Sequence, residues 1–484
     1  MTELQTKLLI NGIWREGSSG NFFNDVNPYN GELIIRFRLG NKQDINEAYD
    51  AAKSAQKKWA KTSNSEKKAV ITKVIQSFEK RKDEIIELLV KETGSSYIKA
   101  NSEYLAGIGT ILDAMSYIDK VGIPVITASA IPGKENIVYH EPAGVIGVIS
   151  PFNFPFFISL RAVAPAIAVG DAVVLKTDPQ TQLTGGAIIA EVFEEAGLPR
   201  GVLNMVNFDV SEVGDYFIEH PIPSIISFTG STNVGRHIAS LCGKHLKRVA
   251  LELGGNNPMV ILEDANIDQA VNAALYGKFM HQGQVCVITN RILVHQNLYD
   301  EFVKRYVERA KQIPYGDPSD PKVFIGPLIN EKQIQKVLNT VEIAKEESCN
   351  LVLEGKRVGN VITPYVFSDV KFDSKLAQTE VFGPIATIIP FKTLDDALDF
   401  ANHTEYGLSS AVFTLDIEKG LEFAKSIESG MSHVNDITAN IAPNMPFGGI
   451  KGSGHGRYGG EYGFEEFTTV RWITVQKEER KYPV

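Results

Sequence analysis

The sequence predicts an α/β protein of two doubly wound regions with a small additional β element, and three observations carry that prediction. Five short apolar runs lie between Val145 and Leu253, separated by stretches long enough for crossover helices. Runs with so little polar alternation suit parallel strands buried on both faces. A similar texture recurs from about residue 255 to 450, and outside both regions Val125 to Val138 and Thr468 to Val475 read as exposed strands. A chain of 484 residues exceeds what one hydrophobic core usually supports, so two or three domains are expected.

Taken in order, Asn11-Gly12 reads as a hairpin turn, and the rest of the first third is expected to be mostly helical. From Asp44 the apolar positions Ile45, Ala48, Tyr49, Ala52, Ala55 and Trp59 follow helical spacing, and Asp44 with Glu47 suggests a capping box. A second helix is expected after Ser65, with Ala69, Val70, Val74, Ile75 and Phe78 inward, and a third ends at Gly94, a natural left-handed cap. Val125 to Val138, with Pro132-Gly133 at its middle, predicts a projecting hairpin. The strands of the first region then follow at Val145–Ile149, Ala172–Leu175, Val202–Val206, Ser224–Phe228 and Val249–Leu253. Ligands of such sheets bind at the carboxyl ends of the strands, which singles out Ser150–Pro155, Lys176–Pro179 and Thr229–Thr232. In the second region a helix over Asp268 to Gln282 is expected to lead directly into Cys286, and Thr468–Val475 alternates like an edge strand.

Composition narrows the function classes. Apolar residues make up 43% and charged residues 22%, and the net charge of −9 with no basic run argues against nucleic acid as a partner. Cys242, Cys286 and Cys349 form no ligand spacing, so no metal site and a reducing compartment are expected. Met1 to Ile10 lacks the apolar core of a secretory signal, and the apolar stretch Ala162 to Leu175 is too short for a bilayer. A cytoplasmic protein without a membrane partner is the expectation. The hairpin and late edge strand suggest sheet completion between copies, hence a homodimer or homotetramer.

The chemistry centres on two residues 34 positions apart, Glu252 and Cys286. A thiolate can add to a carbonyl carbon and hold it covalently, and a neighbouring carboxylate can then draw a proton from water to hydrolyse the adduct. Gly283-Gln284-Val285 leave space around Cys286; a papain-like reading would need a histidine, for which His281 and His403 are candidates without a supporting motif. Glu252 closes a strand, where an ordinary solvated carboxylate is the alternative; partial burial would raise its pKa toward the range of a base. Phe228-Thr-Gly-Ser-Thr-Asn-Val-Gly235 joins a strand to a helix through small residues, leaving amides free to meet a phosphate. Lys176 could bond a ribose hydroxyl, the alternative being a surface lysine. Asn153, between Phe152 and Phe154, is an amide in an apolar setting that could donate to a carbonyl oxygen. Glu380-Val-Phe-Gly-Pro384 adds a carboxylate beside an aromatic ring.

In their order and spacing, Pro151–Pro155, Lys176, Phe228–Ser231, Leu251–Gly255, Gly283–Cys286, Glu380–Pro384 and Pro446–Gly449 resemble the aldehyde dehydrogenase superfamily over nearly the whole chain. The resemblance implies two Rossmann-like domains, a dinucleotide-binding one over 1–122 and 143–253 and a catalytic one over 254–452. Segments 123–142 and 466–484 would form the oligomerisation element. It implies Cys286 as nucleophile, Glu252 as the base for deacylation, and the Asn153 side chain with the Cys286 amide as the oxyanion hole. The cofactor would be NAD, with NADP possible, met by Ser150, Pro151, Phe152, Lys176, Pro179, Gly230, Ser231, Val234, Leu253, Glu380 and Phe382.

Departures from the family pattern bear on specificity. Pro179 stands where many NAD-preferring relatives carry a glutamate that repels a 2′-phosphate, which removes one barrier to NADP; Asp209 or Glu212 would act the other way. The positions of a lysine and a second glutamate that relay protons in some members look like Ala162 and Tyr458. Arg161, within Ser159–Pro165, is similar to the arrangement of the benzaldehyde and vanillin dehydrogenase branch. Its alternatives are a structural ion pair, or recognition of a substrate carboxylate in a semialdehyde dehydrogenase. Phe157, Val285, Val287, Ile441 and Phe447 complete the expected substrate tunnel. A reading from another class, a non-catalytic descendant of the fold, runs against the intact cysteine, base and asparagine.

Overall fold

The computed structural model describes residues 3–483. The five expected strands form the parallel centre of an eight-stranded sheet, in the order Leu203–Val206, Ala172–Lys176, Val145–Ile149, Ile225–Thr229, Arg248–Glu252. Its outer strands run antiparallel: Leu8–Ile10 and Ile13–Arg15 on one edge, Gly454–His455 on the other. Chain order reverses at Val145–Ile149, which opens a crevice between its carboxyl end and that of Ile225–Thr229. The helix that follows, Pro155–Val169, is buried at every residue, which accounts for the apolar stretch at 162–175. Among the described residues no helix is long and apolar enough to cross a membrane.

The second sheet has seven strands in the order Asn350–Leu353, Tyr365–Ser368, Ile385–Phe391, Thr289–His295, Asn257–Ile261, Ser409–Phe413, Met431–Val434. All pairs are parallel except the antiparallel edge made by Asn350–Leu353. Only Leu253, Gly254, Gly255 and Asn256 separate the last long strand of the first sheet from the first strand of the second. Val125–Ala128, Lys134–Pro142 and Thr468–Gln476 form a third, antiparallel sheet whose outer strands are almost entirely exposed.

The amino-terminal part departs from the mostly helical expectation. Two hairpins, Leu8–Arg15 and Phe22–Arg38, precede the first helix. The turn at Asn11-Gly12 is as expected, both residues having positive φ. The first helix begins at Lys42, and its capping box joins Asn41 to Asp44 rather than Asp44 to Glu47. The shift has a physical reason: Asn41 accepts from the amides of Gln43 and Asp44, while the Asp44 carboxylate accepts from Asn41, Ser18 and Arg15 and is buried by doing so. The second helix, Asn64–Lys80, is capped by Ser63 and buries Ile71 in place of Ala69, which is exposed. The third ends at Gly94 with φ 68°, as read. The helix expected to run to Gln282 stops at Phe279, because His281, Gln282 and Gly283 all adopt positive φ.

Candidate active site

A cavity of about 260 Å³ lies at the crevice where the two large sheets meet. Its walls come from both. The first sheet supplies the loops Pro151–Asn153 and Thr229–Ser231 and the strand end Glu252–Gly254; the second region supplies Cys286 and Glu380–Phe382. A further wall is one face of the helix Glu331–Glu346, through Gln333, Lys336, Val337 and Thr340. The sequence reading missed this helix. Its signal was present in the 333, 336, 337, 340 spacing, but that is the spacing of any packed helix face.

Cys286 reaches the cavity because the chain turns sharply before it. The left-handed run from His281 to Gly283 is held by the Gln282 amide, which donates to the carbonyls of Gly94 and Pro327 at 2.8 and 3.0 Å. A Cβ on Gly283 would lie 2.3 Å from the Gly383 carbonyl oxygen. The Cys286 carbonyl accepts from Asn257 at 2.8 Å. Asn153 is buried, and its Nδ2 donates to the Gln284 carbonyl at 2.9 Å, which leaves its second N–H for the cavity. Neither His281, packed edge-on against Phe154, nor His403, against Phe372, lines this cavity, so the papain-like alternative lacks its base.

Glu252 is paired in register with Thr229 and is 1% exposed, yet neither carboxylate oxygen has a hydrogen-bond partner among the described residues. Burial raises its pKa to about 8, with Arg161 and Arg457 pulling it down and Glu466 pushing it up. The ordinary solvated strand-end carboxylate is thereby excluded. Burial also pushes the Cys286 thiol up to about 12, the Glu252 charge adding to the effect and Arg161 opposing it. The two groups therefore resist being anionic together, and protonation of Glu252 removes a charge that opposes the thiolate.

At the other end of the cavity, burial holds the Glu380 carboxyl at about 7, and the Gly255 amide donates to it at 3.1 Å. Asn290 fixes the segment by donating to the Thr379 carbonyl and accepting from the Val381 amide. Phe152 and Phe382 meet edge to face at 6.2 Å. Lys176 is half-buried, and burial lowers its pKa against the pull of Asp178 and Asp209. Not every expected cofactor residue lines the cavity. Ser150 is buried behind the loop, accepting from the Ser159 hydroxyl; Pro179 opens a short helical turn capped by Asp178; Val234 is exposed on the helix after Ser231. Glu212 is engaged by Ser19 and Asn21.

The aldehyde dehydrogenase family model matches residues 14–473. The chain belongs to the aldehyde dehydrogenase family. The benzaldehyde dehydrogenase YfmT of Bacillus subtilis is 46% identical over 477 residues, covering 99% of this chain and 98% of that protein. A vanillin dehydrogenase of Corynebacterium glutamicum is 45% identical over 474 residues, covering 98% of each. The crystal structure of an NAD-dependent benzaldehyde dehydrogenase from Corynebacterium glutamicum superposes with a TM-score of 0.90 at 42% identity, covering 97% of this chain and 98% of that one.

In this aldehyde dehydrogenase a second cleft is lined by Phe157, Arg161, Ile441, Phe447 and Tyr458. Val285 and Val287 are buried in the apolar cluster that backs these residues and Cys286. Arg161 is not in a structural ion pair, for no carboxylate lies within ion-pairing distance among the described residues. Its guanidinium instead sits 4.6 Å from the ring centres of Phe447 and Tyr458 and 5.6 Å from Phe157, and donates to the Thr229 hydroxyl at 3.2 Å. Three aromatic faces take the place of a counter-ion. Its Nε is buried without a partner.

Proposed function

We propose that the chain oxidises aromatic aldehydes, benzaldehyde or a ring-substituted relative such as vanillin, to carboxylic acids with NAD+. The observation that carries this is the convergence of Cys286, the unpartnered Glu252, the spare Asn153 N–H and Glu380 on one cavity. Names of the related benzaldehyde and vanillin dehydrogenases and the apolar, aromatic cleft support the substrate class.

The Cys286 thiol gives its proton to water, its sulfur bonds to the aldehyde carbon as the carbonyl π bond opens, and the Asn153 Nδ2 and the Cys286 amide donate to the oxygen as it gains charge. Collapse of that adduct re-forms the carbonyl as a thioester and expels hydride; NAD+, when bound, supplies the acceptor. Glu252 then takes a proton from water, the hydroxide adds to the thioester, and the carbon–sulfur bond breaks to release acid and thiol. An aldehyde cannot easily lose hydride directly, because an acylium ion would result. Addition of the thiol first removes that obstacle.

The residues fit a dinucleotide. The Pro151–Asn153 and Thr229–Ser231 loops flank the crevice, and Gly230, Ser231, Leu253 and Glu380 line it; Lys176, beside Ile149 at the end of the neighbouring strand and outside that lining, suits the second ribose as Glu380 suits the first. Asp178 and Asp209 near Lys176 favour NAD+ over a 2′-phosphate despite Pro179. Gly254 tests the nicotinamide-side assignment, since a Cβ there would lie 2.3 Å from Glu380 Oε2. Gly254→Ala is expected to raise the KM for NAD+ about 10-fold or more by displacing that carboxylate, with the KM for aldehyde little changed. An unchanged KM for NAD+ would remove Glu380 from cofactor binding.

A second reading, a semialdehyde dehydrogenase with Arg161 meeting a substrate carboxylate, is not favoured, because the Nε is buried and the guanidinium is engaged by three rings and Thr229. Initial rates with benzaldehyde, vanillin and succinic semialdehyde, each with NAD+ and NADP+, separate the two. The aromatic substrates with NAD+ are expected to have the higher kcat/KM by about 10-fold or more. Turnover of the acidic aldehyde alone would transfer the assignment to the second reading. The exposed three-stranded sheet suits assembly into a homodimer or homotetramer, and three free thiols suit the reducing cytoplasm.

A further inference from the structure

We infer that a buried ion pair on a neighbouring helix, Lys99–Glu103, is the device that positions the Asn153 amide for the reaction. This rests on the oxyanion role proposed for Asn153. Lys99 and Glu103 sit one turn apart on the helix Tyr97–Met115, with side chains 1% and 0% exposed. Lys99 Nζ donates to Glu103 Oε2 at 2.5 Å and to the Asn153 carbonyl at 2.6 Å, and lies 4.1 Å from the centre of the Phe154 ring. The other Glu103 oxygen, Oε1, accepts from the amides of Phe156 and Phe157 at 2.9 and 3.3 Å.

The pair thus holds the turn that carries Asn153 at the Asn153 carbonyl and at the amides of Phe156 and Phe157. The helix Pro155–Val169 has no side-chain cap of its own: Phe154 cannot accept at its N-cap, and Pro155 has no N–H to offer. Its first free donors are the amides of Phe156 and Phe157, and Glu103 supplies their acceptor from a different helix. Lys99, on the same helix as Glu103, fixes the backbone just before those amides by donating to the Asn153 carbonyl. A buried pair offsets its desolvation only where further hydrogen bonds satisfy its remaining protons and lone pairs, and here every such bond goes to the backbone of the turn that carries Asn153. With the backbone pinned, the Asn153 side chain has one N–H committed to the Gln284 carbonyl beside the nucleophile and the other directed by default toward the cavity. Neither Lys99 nor Glu103 lines the cavity, so both are positioning residues.

The test is a four-cornered comparison of the parent, Lys99→Met/Glu103→Leu, Asn153→Ala and the triple variant, reading NADH formed in a single turnover with benzaldehyde. The apolar double variant avoids stranding one buried charge, and Glu103→Gln serves as a milder second variant that keeps an acceptor for the helix amides. Asn153→Ala is expected to lose about 10²- to 10³-fold in the single-turnover rate. The double variant is expected to lose about 10- to 100-fold, and Glu103→Gln a smaller amount in the same direction. In the Asn153→Ala background the same double change should cost no more than about 3-fold, because the pair acts through a side chain already removed. NAD+ binding and the rate of Cys286 alkylation by iodoacetamide should stay near parental values, which a general loosening of the fold would not allow. Equal losses in both backgrounds, or parallel losses in NAD+ binding and alkylation, overturn the inference. A parental rate in Asn153→Ala instead removes the oxyanion reading itself.

Discussion

Cys286→Ala lowers aldehyde oxidation by at least about 10⁴-fold while leaving NAD+ binding intact. The size of the effect follows from the order of events: hydride leaves only from the sulfur adduct, so no later step can compensate. Nor can another thiol. Cys242 is fully buried in the core beside the first sheet, Cys349 follows the helix Glu331–Glu346, and neither lines the cavity. The measurement is steady-state absorbance of NADH with benzaldehyde, with quenching of protein fluorescence as the check on cofactor binding. Retention of more than a hundredth of the parental rate would place the nucleophile elsewhere.

Glu252→Gln forms one equivalent of NADH per active site and then slows by about 10² to 10⁴-fold. Glutamine preserves the volume of the side chain but cannot accept the proton of water, so the thioester accumulates. Acylation survives, since burial still holds the Cys286 thiol up but the Glu252 charge that adds to it has been removed. The same assignment sets the pH profile. Burial raises Glu252 to about 8, and only its ionised form is a base, so kcat limited by deacylation rises with pH through about 8 and falls below it. That acid limb is absent in Glu252→Gln. Stopped-flow absorbance across pH 6 to 10 reads both results, and an unaltered steady-state rate in the variant would remove the base assignment.

The central strands were legible to within a residue or so because a strand buried on both faces writes itself as an uninterrupted apolar run. So were Gly94 and Asn11-Gly12, where a backbone conformation demands a particular residue type. The second hairpin, Phe22–Arg38, was not, nor was the place of the first at the sheet edge: strands of three residues such as Leu8–Ile10 are too short to show a period, and that place depends on distant partners such as Met205. In the site, Cys286, Glu252 and Asn153 were found through local motifs. The helical break before Cys286 was hidden because His281 and Gln282, unlike glycine, give no local sign of positive φ; they are held there by contacts with residues far along the chain. Of the rings around Arg161, Phe157 and Phe447 were expected beside it, but the contact with Tyr458 was not, since it brings together two distant segments. Lys99 and Glu103 carried no motif at all.

The four-residue link from Glu252 to Asn257 has a mechanical consequence. It ties the base, which stays paired with Thr229 in the first sheet, to the leading strand of the second, and Gly255 within it holds Glu380. Cys286 belongs to the second region, whereas Glu252, Asn153 and the Thr229–Ser231 loop ride on the first. Slack between the two halves would therefore draw the thiol away from its base and from the oxyanion donor together. Early in mild denaturation, hydride transfer and thioester hydrolysis should fail together, and the turnover rate becomes a gauge of how tightly the two sheets are seated.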